Sequence, residues 1–156
     1  DMKKRFITAL FALTLAGCSD DEVGDVSLGL FTLKDIKISN LVDDKIPGVT
    51  CHIASVEANL SFSDPSDSSI ACRQTGAITP EMLATIDKSP SGEVVFRKSK
   101  SIFFKTMKVR RIFDADSRTL MYLSYTTKET EGSFKHSLST VPLWGTQAYV
   151  EPVQTP

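Results

Sequence analysis

The sequence predicts an α+β fold in which antiparallel strands dominate. Three observations favour this class. Residues 101–127 form one long strand-rich stretch with a polar turn inside it, which predicts a central β-hairpin. Residues 80–88 carry the cap and the apolar spacing of one short helix. Two cysteines flank a polar segment and predict a loop that is stapled by a disulfide.

The composition is that of one ordinary globular domain. The chain has 156 residues, of which 41% are hydrophobic and 24% are charged, and these values argue against disorder. The formal net charge is -1, so no basic footprint indicates nucleic acid as a partner.

The first residues predict export and a lipid anchor. Lys3, Lys4 and Arg5 form a positive segment, and residues 6–15 form an apolar segment too short to span a bilayer. Leu-Ala-Gly-Cys at 15–18 resembles the bacterial lipobox, which implies a signal peptide at 1–17 and acylation of Cys18. A plain signal peptide or a short buried helix is the alternative.

We therefore expect residues 18–27 to be an acylated anchor and tether, and the membrane to be a partner through that anchor. By resemblance to Gram-negative lipoproteins, Ser19 favours a periplasm-facing position on the outer rather than the inner membrane.

Cysteine usage agrees with an oxidising compartment. Assigning Cys18 to lipid leaves Cys51 and Cys72 as an even pair, which predicts a disulfide. The alternative is a reactive Cys51 thiol beside His52. Adjacent strand residues point to opposite faces, so His52 is poorly placed to activate that thiol.

Two strands are predicted before the helix. In residues 28–38, Leu28, Leu30, Ile36 and Ile38 share one parity, which predicts a strand with those residues on its buried face. Residues 49–56 predict a second strand, and an apolar segment at 70–72 returns beside it.

The helix prediction depends on its start. Thr79 is a favourable N-cap and Pro80 suits the first turn. Met82, Leu83 and Ile86 fall on one side at helical spacing and predict a packing face.

The hairpin has a preferred buried face that basic residues interrupt. Phe103, Met107, Val109 and Phe113 share one parity. The same parity also contains two cations, Lys105 and Arg111. If those cations face inward, they become the first candidates for a site. The candidate functional surface on this stretch consists of Lys105, Arg110 and Arg111. A nucleic-acid role for these cations is disfavoured by the expected compartment.

No catalytic, cofactor or metal site is predicted. His52 and His136 are isolated, whereas zinc sites need clustered ligands. No nucleophile elbow, phosphate loop or dinucleotide fingerprint occurs. Two alternatives stay open: a hydrolase-like enzyme that uses His52 or His136, and a periplasmic carrier of a small ligand.

The chain contains GEVVFRK at 92–98, SIFFKTMKVRRIFDA at 101–115, LMYLSYT at 120–126, EGSFK at 131–135 and SLSTVPLW at 137–144, with VTC at 49–51 and IACRQTG at 70–76. Together these segments resemble the CreA family. The resemblance implies a CreA-like domain at 28–144, followed by a tail at 145–156 that we expect to fray. It also implies a small exported bacterial protein of unknown biochemical role, with no catalytic residues to carry over.

Together these features predict a non-enzymatic binding or structural protein of the cell envelope. Its partner is expected to be another envelope protein or a glycan.

Overall fold

The computed structural model describes residues 22–29, 34–58, 68–96, 107–127, 129 and 132–150. These residues form eight strands and one short helix. The first half contains β1 Glu22–Ser27, β2 Lys34–Val42, β3 Val49–Ala58, β4 Ser68–Gln74 and α1 Pro80–Ala84. The second half contains β5 Glu93–Val94, β6 Met107–Asp114, β7 Thr119–Thr126 and β8 His136–Pro142.

The strands make two separate antiparallel sheets. Sheet A has the order β1-β2-β3-β4, and sheet B has the order β5-β6-β7-β8. The predicted α+β class is therefore wrong, because the described residues are nearly all β and their helix has five residues. A single long hairpin at 101–127 is also wrong as the organising element. The β6–β7 pair is one part of a four-stranded sheet, and residues 101–106 lie outside the described residues.

The predicted helix at 80–88 begins where expected and ends early. Thr79 Oγ1 accepts the Met82 N–H at 3.3 Å as the N-cap. The helix ends at Ala84, and Thr85 donates both its N–H and its hydroxyl to the Met82 carbonyl. Beyond it, the Asp87 side chain accepts the Ser89 N–H, a local bond that competes with helix continuation.

The two sheets adjoin at β4 and β8 through side-chain hydroxyls. The N–H groups of Ile70 and Cys72 donate to the hydroxyls of Ser137 and Ser139, at 3.3 and 2.8 Å. These N–H groups point away from β3, so the serines satisfy an edge that would otherwise be open.

Residues from both sheets share one hydrophobic core. Sheet A contributes Leu41, Val49, Cys51, Ile53 and Ile70, and sheet B contributes Met107, Val109, Leu120, Tyr122 and Val141. Ile46, Ile78, Leu83, Ile86, Val95, Leu143 and Ala148 complete it from the connections and α1. The odd positions of β6 are the buried ones, which agrees with the face that the sequence favours.

Cys51 and Cys72 face each other directly in the β3–β4 register and are joined by a disulfide. The structure thus supports the predicted pairing. The Cys51 sulfur is buried in the core, and Cys72 packs against the same core. The Cys51 sulfur is therefore held in the disulfide and is not a free thiol that could act as a nucleophile.

Part of the predicted C-terminal tail is attached to the domain. The Ala148 N–H donates to the Ile78 carbonyl at 3.0 Å, and Ala148 is buried. Trp144 and Tyr149 stack edge to face with ring centroids 4.9 Å apart. Ala148 and Tyr149 therefore pack on the domain, and the predicted domain boundaries stay predictions.

Candidate functional site

Arg111 lies on the buried face of β6, where the alternation of the strand demands an apolar residue. Its neighbours Met107 and Val109 on the same face are buried in the core, and Arg111 is only 1% exposed. An ionised guanidinium at such a position requires paired partners, because an isolated buried charge costs far more than the fold can supply. The partners define the candidate site.

Asp43 is the main partner of Arg111. Arg111 Nε donates to Asp43 Oδ2 at 2.7 Å, and Arg111 Nη2 donates to Asp43 Oδ1 at 3.0 Å. This two-pronged geometry is the strong form of an arginine–carboxylate pair. Asp43 follows β2 and Arg111 lies in the middle of β6, so the pair joins sheet A to sheet B.

Local structure holds Asp43 in place. Its Oδ1 accepts the N–H groups of Lys45 and Ile46 at 3.0 and 3.3 Å, which forms the turn between β2 and β3. Its Oδ2 also accepts the hydroxyl of Tyr122 at 2.7 Å. The carboxylate therefore accepts five hydrogen bonds, and its negative charge is compensated by Arg111.

Glu93 and Lys45 extend the pair toward solvent. Arg111 Nη1 donates to Glu93 Oε1 at 2.7 Å, and Lys45 Nζ donates to Glu93 Oε2 at 2.8 Å. Signs alternate along Asp43, Arg111, Glu93 and Lys45, so the four charges balance. We call these four residues and Tyr122 the inter-sheet network.

The protonation states of the network are biased toward this pairing. Burial raises the pKa of Tyr122, and the neighbouring Asp43 charge raises it further, so the phenol stays a neutral donor. Burial opposes ionisation of Glu93, but hydrogen bonds from Lys45 and from the Asp87 N–H outweigh it. The pKa of Glu93 is consequently lowered.

The polar groups of this network are bound to one another. The guanidinium makes three hydrogen bonds inside the network, and both Asp43 oxygens accept bonds from protein groups. Such an arrangement holds two sheets in register. The inward cation that the sequence singled out is thus a structural clamp in this geometry.

The other two cations of the predicted surface have different positions. Arg110 lies on the opposite face of β6, where its Nε donates to the Tyr125 hydroxyl at 2.9 Å. Its Nη1 donates to the Ser91 carbonyl at 3.3 Å. Lys105 lies outside the described residues. The structure therefore separates Arg110 from Arg111 by the thickness of the sheet.

Arg110 belongs to an outward surface built from three strands. The register places Arg110 opposite Leu123, and Leu123 opposite Leu138. We define the outer face of sheet B by the outward residues of β6, β7 and β8, which are Lys108, Arg110, Ile112, Asp114, Thr119, Met121, Leu123, Tyr125, His136, Leu138, Thr140 and Pro142.

This face is apolar in its middle and basic at one end. None of its aliphatic side chains belongs to the hydrophobic core or packs against it, and Leu138 is 56% exposed. Within the described part of the chain, neither Lys108 nor Arg110 is paired with a carboxylate. Adjoining apolar and unpaired cationic side chains are typical of an interaction surface.

The histidines are not brought together. His52 is exposed on β3 of sheet A, whereas His136 is exposed on β8 of sheet B. His136 Nδ1 lies 2.8 Å from the Phe134 carbonyl oxygen. Within the described residues, no group of three or more His, Cys, Asp or Glu side chains is placed to hold a metal ion.

The described part of the chain contains no helix with the length and hydropathy needed to cross a membrane.

Sequence reasoning found Arg111 but missed its partners Asp43, Glu93 and Tyr122. The turn-forming Asp43 carries no signal that separates it from its neighbour Asp44. The available signal was the inward parity of Arg111, because a buried guanidinium needs a carboxylate beside it.

The fold and these surfaces define a small disulfide-bonded, two-sheet domain with an open sheet face. A family model described as CreA protein matches residues 23–146. The chain is 37% identical over 108 residues to Protein CreA of Escherichia coli strain K12 and to Protein CreA of Escherichia coli O157:H7. The matched part is 65% of this chain and 68% of each relative.

The chain belongs to the CreA family, which confirms the resemblance that the sequence carries. No solved structure is a significant match.

Proposed function

We propose that this CreA-family protein is a lipid-anchored, non-enzymatic protein of the cell envelope that binds another envelope component through the outer face of sheet B. The observation that carries the proposal is that face itself. It combines exposed apolar side chains with two cations, Lys108 and Arg110, that have no carboxylate partner among the described residues. The partner is an envelope protein or a glycan.

The chemistry of the interior supports a binding role over catalysis. The ionisable side chains of the inter-sheet network are hydrogen-bonded to one another. Cys51 is held in a disulfide. A hydrolase would need a base close to a nucleophile, and His52 and His136 lie on different sheets. No specific observation favours a small-ligand carrier.

A photo-cross-linking residue at position 138 tests the binding face. Leu138 lies on this face, and Val150, which is 61% exposed, belongs to neither sheet and provides the matched control position. Irradiation of intact envelopes should give a discrete adduct from position 138 that is absent from position 150. Identical adducts from both positions, or none from position 138, would refute the binding face.

The anchor has its own test. Palmitate should label the wild-type chain, and Cys18→Ser should abolish the label, because acylation requires that thiol. Equal labelling of the two chains would rule out the acyl anchor.

A further inference from the structure

Sheet A also has two chemically different faces. In the β2–β3 register, Leu41 lies opposite Cys51 and both are buried in the core. Strand alternation then places Ile36 and Ile38 on the opposite side of β2, away from that core. This corrects the expectation that Leu28, Ile36 and Ile38 are buried together, since Leu28 is 45% exposed.

The outward residues nearest β1 form a continuous aliphatic surface. Val26 lies opposite Ile36, and Ile36 lies opposite Val56 on β3. Ile38 lies opposite Ala54 in the neighbouring row. We call these five residues the aliphatic face of sheet A. None of them belongs to the hydrophobic core or packs against it, and Val26 is 53% exposed.

Three charged residues at this end of sheet A, Glu22, Asp25 and Lys37, are on the other face. Lys37 Nζ contacts Asp25 Oδ2 at 2.5 Å and Glu22 Oε1 at 3.2 Å. The hydrogen bond that Lys37 donates to the Asp25 carboxylate raises the pKa of Lys37 above its ordinary value, against a smaller opposing effect of burial. No described side chain in the rows of the aliphatic face carries a charge.

The position of β1 in the chain indicates what covers this face. β1 begins at Glu22, four residues after Cys18. Four residues cannot span more than about 14 Å in any conformation. If Cys18 carries acyl chains, β1 is held next to the lipid headgroups, and an apolar surface there meets the bilayer at high effective concentration.

We propose that the aliphatic face of sheet A lies on the surface of the bilayer to which the chain is anchored. The inference rests on the acyl anchor of the proposed function. It fixes the orientation of the domain, with β1 against the lipid. Because the described side chains of the face are uncharged, docking needs no anionic lipid and is insensitive to salt.

The test supplies the anchor chemically, so that it does not depend on acylation in the cell. Residues 18–156 contain three cysteines, and closing Cys51–Cys72 leaves Cys18 as the free thiol. That thiol is coupled to a maleimide lipid in phosphatidylcholine vesicles. The chain has one tryptophan, so Val26→Trp in a Trp144→Phe background gives a site-specific fluorophore. Val150→Trp in the same background is the matched control.

Nitroxide-labelled phosphatidylcholine should quench Trp at position 26 about threefold more than Trp at position 150, since a docked apolar face sits about 5–10 Å into the headgroup region. Quenching should stay the same in high salt. Equal quenching at the two positions would overturn the proposal.

A second measurement needs no substitution in the domain. Amide hydrogen exchange in β1 should be slower when the wild-type chain is tethered to vesicles than when Cys18 is capped by a small reagent, while exchange in β7 stays the same. Protection of β1 that appears in the capped chain and grows with protein concentration would overturn the proposal in favour of a second copy. If the wild-type chain is not labelled by palmitate, the acyl anchor in the cell is wrong. The vesicle experiment still tests whether the aliphatic face of sheet A docks on a bilayer, because its anchor is attached chemically.

Discussion

Replacing Arg111 with Met perturbs the inter-sheet network most sharply. Met is unbranched like the aliphatic stem of Arg, so the substitution removes the charged guanidinium and retains apolar packing along the stem. It deletes two of the five hydrogen bonds that Asp43 accepts, and one bond to Glu93. The Asp43 carboxyl group, which is fully buried, then lacks its counter-ion.

Three charge-assisted hydrogen bonds at about 1.5 kcal/mol each indicate a loss of about 4.5 kcal/mol. Breaking a buried ion pair from one side typically costs about 3–5 kcal/mol, which is the same range. We therefore expect the free energy of unfolding to fall by about 4 kcal/mol. Urea unfolding of the disulfide-bonded domain measures this free energy. The two proteins can be compared if their m-values are the same.

The neighbouring Arg110→Met is the matched control, because it deletes the same charge from the outward face of the same strand. Its two hydrogen bonds are to neutral oxygens, so we expect a loss of about 1 kcal/mol or less. In Asp43→Asn combined with Arg111→Met, both charges are absent, and the double variant should lose less than the sum of the single variants. If Arg111→Met is as mild as Arg110→Met, the clamp interpretation is wrong.

Three further predictions concern two glycines, Glu93 and the disulfide. Gly92→Ala should destabilise the domain by about 3 kcal/mol, because Gly92 has a φ of 55° and a Cβ there would lie 1.8 Å from the Arg111 carbonyl oxygen. Gly132 has a φ of 77° with open space around a Cβ, so Gly132→Ala should lower the free energy of unfolding by only about 1 kcal/mol. Equal midpoints of urea unfolding for Gly92→Ala and Gly132→Ala would contradict this difference. Because the pKa of Glu93 is lowered in the folded state, its stabilisation should be complete above its ordinary value of 4.5 and decline as the pH falls below it. In thermal unfolding measured from pH 6 to 3, Glu93→Gln should reduce the loss of stability with falling pH. An unaltered dependence of the melting temperature on pH would argue against this role of Glu93. Reducing the disulfide, whose cysteines are 21 residues apart, should lower the free energy of unfolding by about 3 kcal/mol, and a change below the error of the urea titration would show that β3 and β4 need no staple.

The start of α1 shows how far local signals reach. Thr79 and Pro80 predicted the first turn correctly, because capping depends on residues only three positions apart. The end was predicted four residues too late. The local bonds of Thr85 and Asp87 end it, and the Asp87 N–H is also held by Glu93, whose place on the sheet no local pattern reveals.

The candidate surface shows the same division. Alternation in β6 favoured the odd face, which proved to be buried. The predicted surface nevertheless grouped Arg110 with Arg111, and the strand places them on opposite faces. Alternation could not say that Arg111 would meet Asp43, which is 68 residues away in the chain. A buried cation indicates that a carboxylate partner is present, and only the packing of the two sheets determines which carboxylate pairs with it.

The sequence by itself determined the family, the antiparallel strands, the pairing of Cys51 with Cys72 and the first turn of the helix. These depend on short-range spacing and on composition. The tertiary structure alone decided the division into two four-stranded sheets, the partners of Arg111 and the outward direction of Ile36 and Ile38. The physical reason is that period-two alternation distinguishes the two faces of a strand, whereas the element packed against a face determines which one is buried.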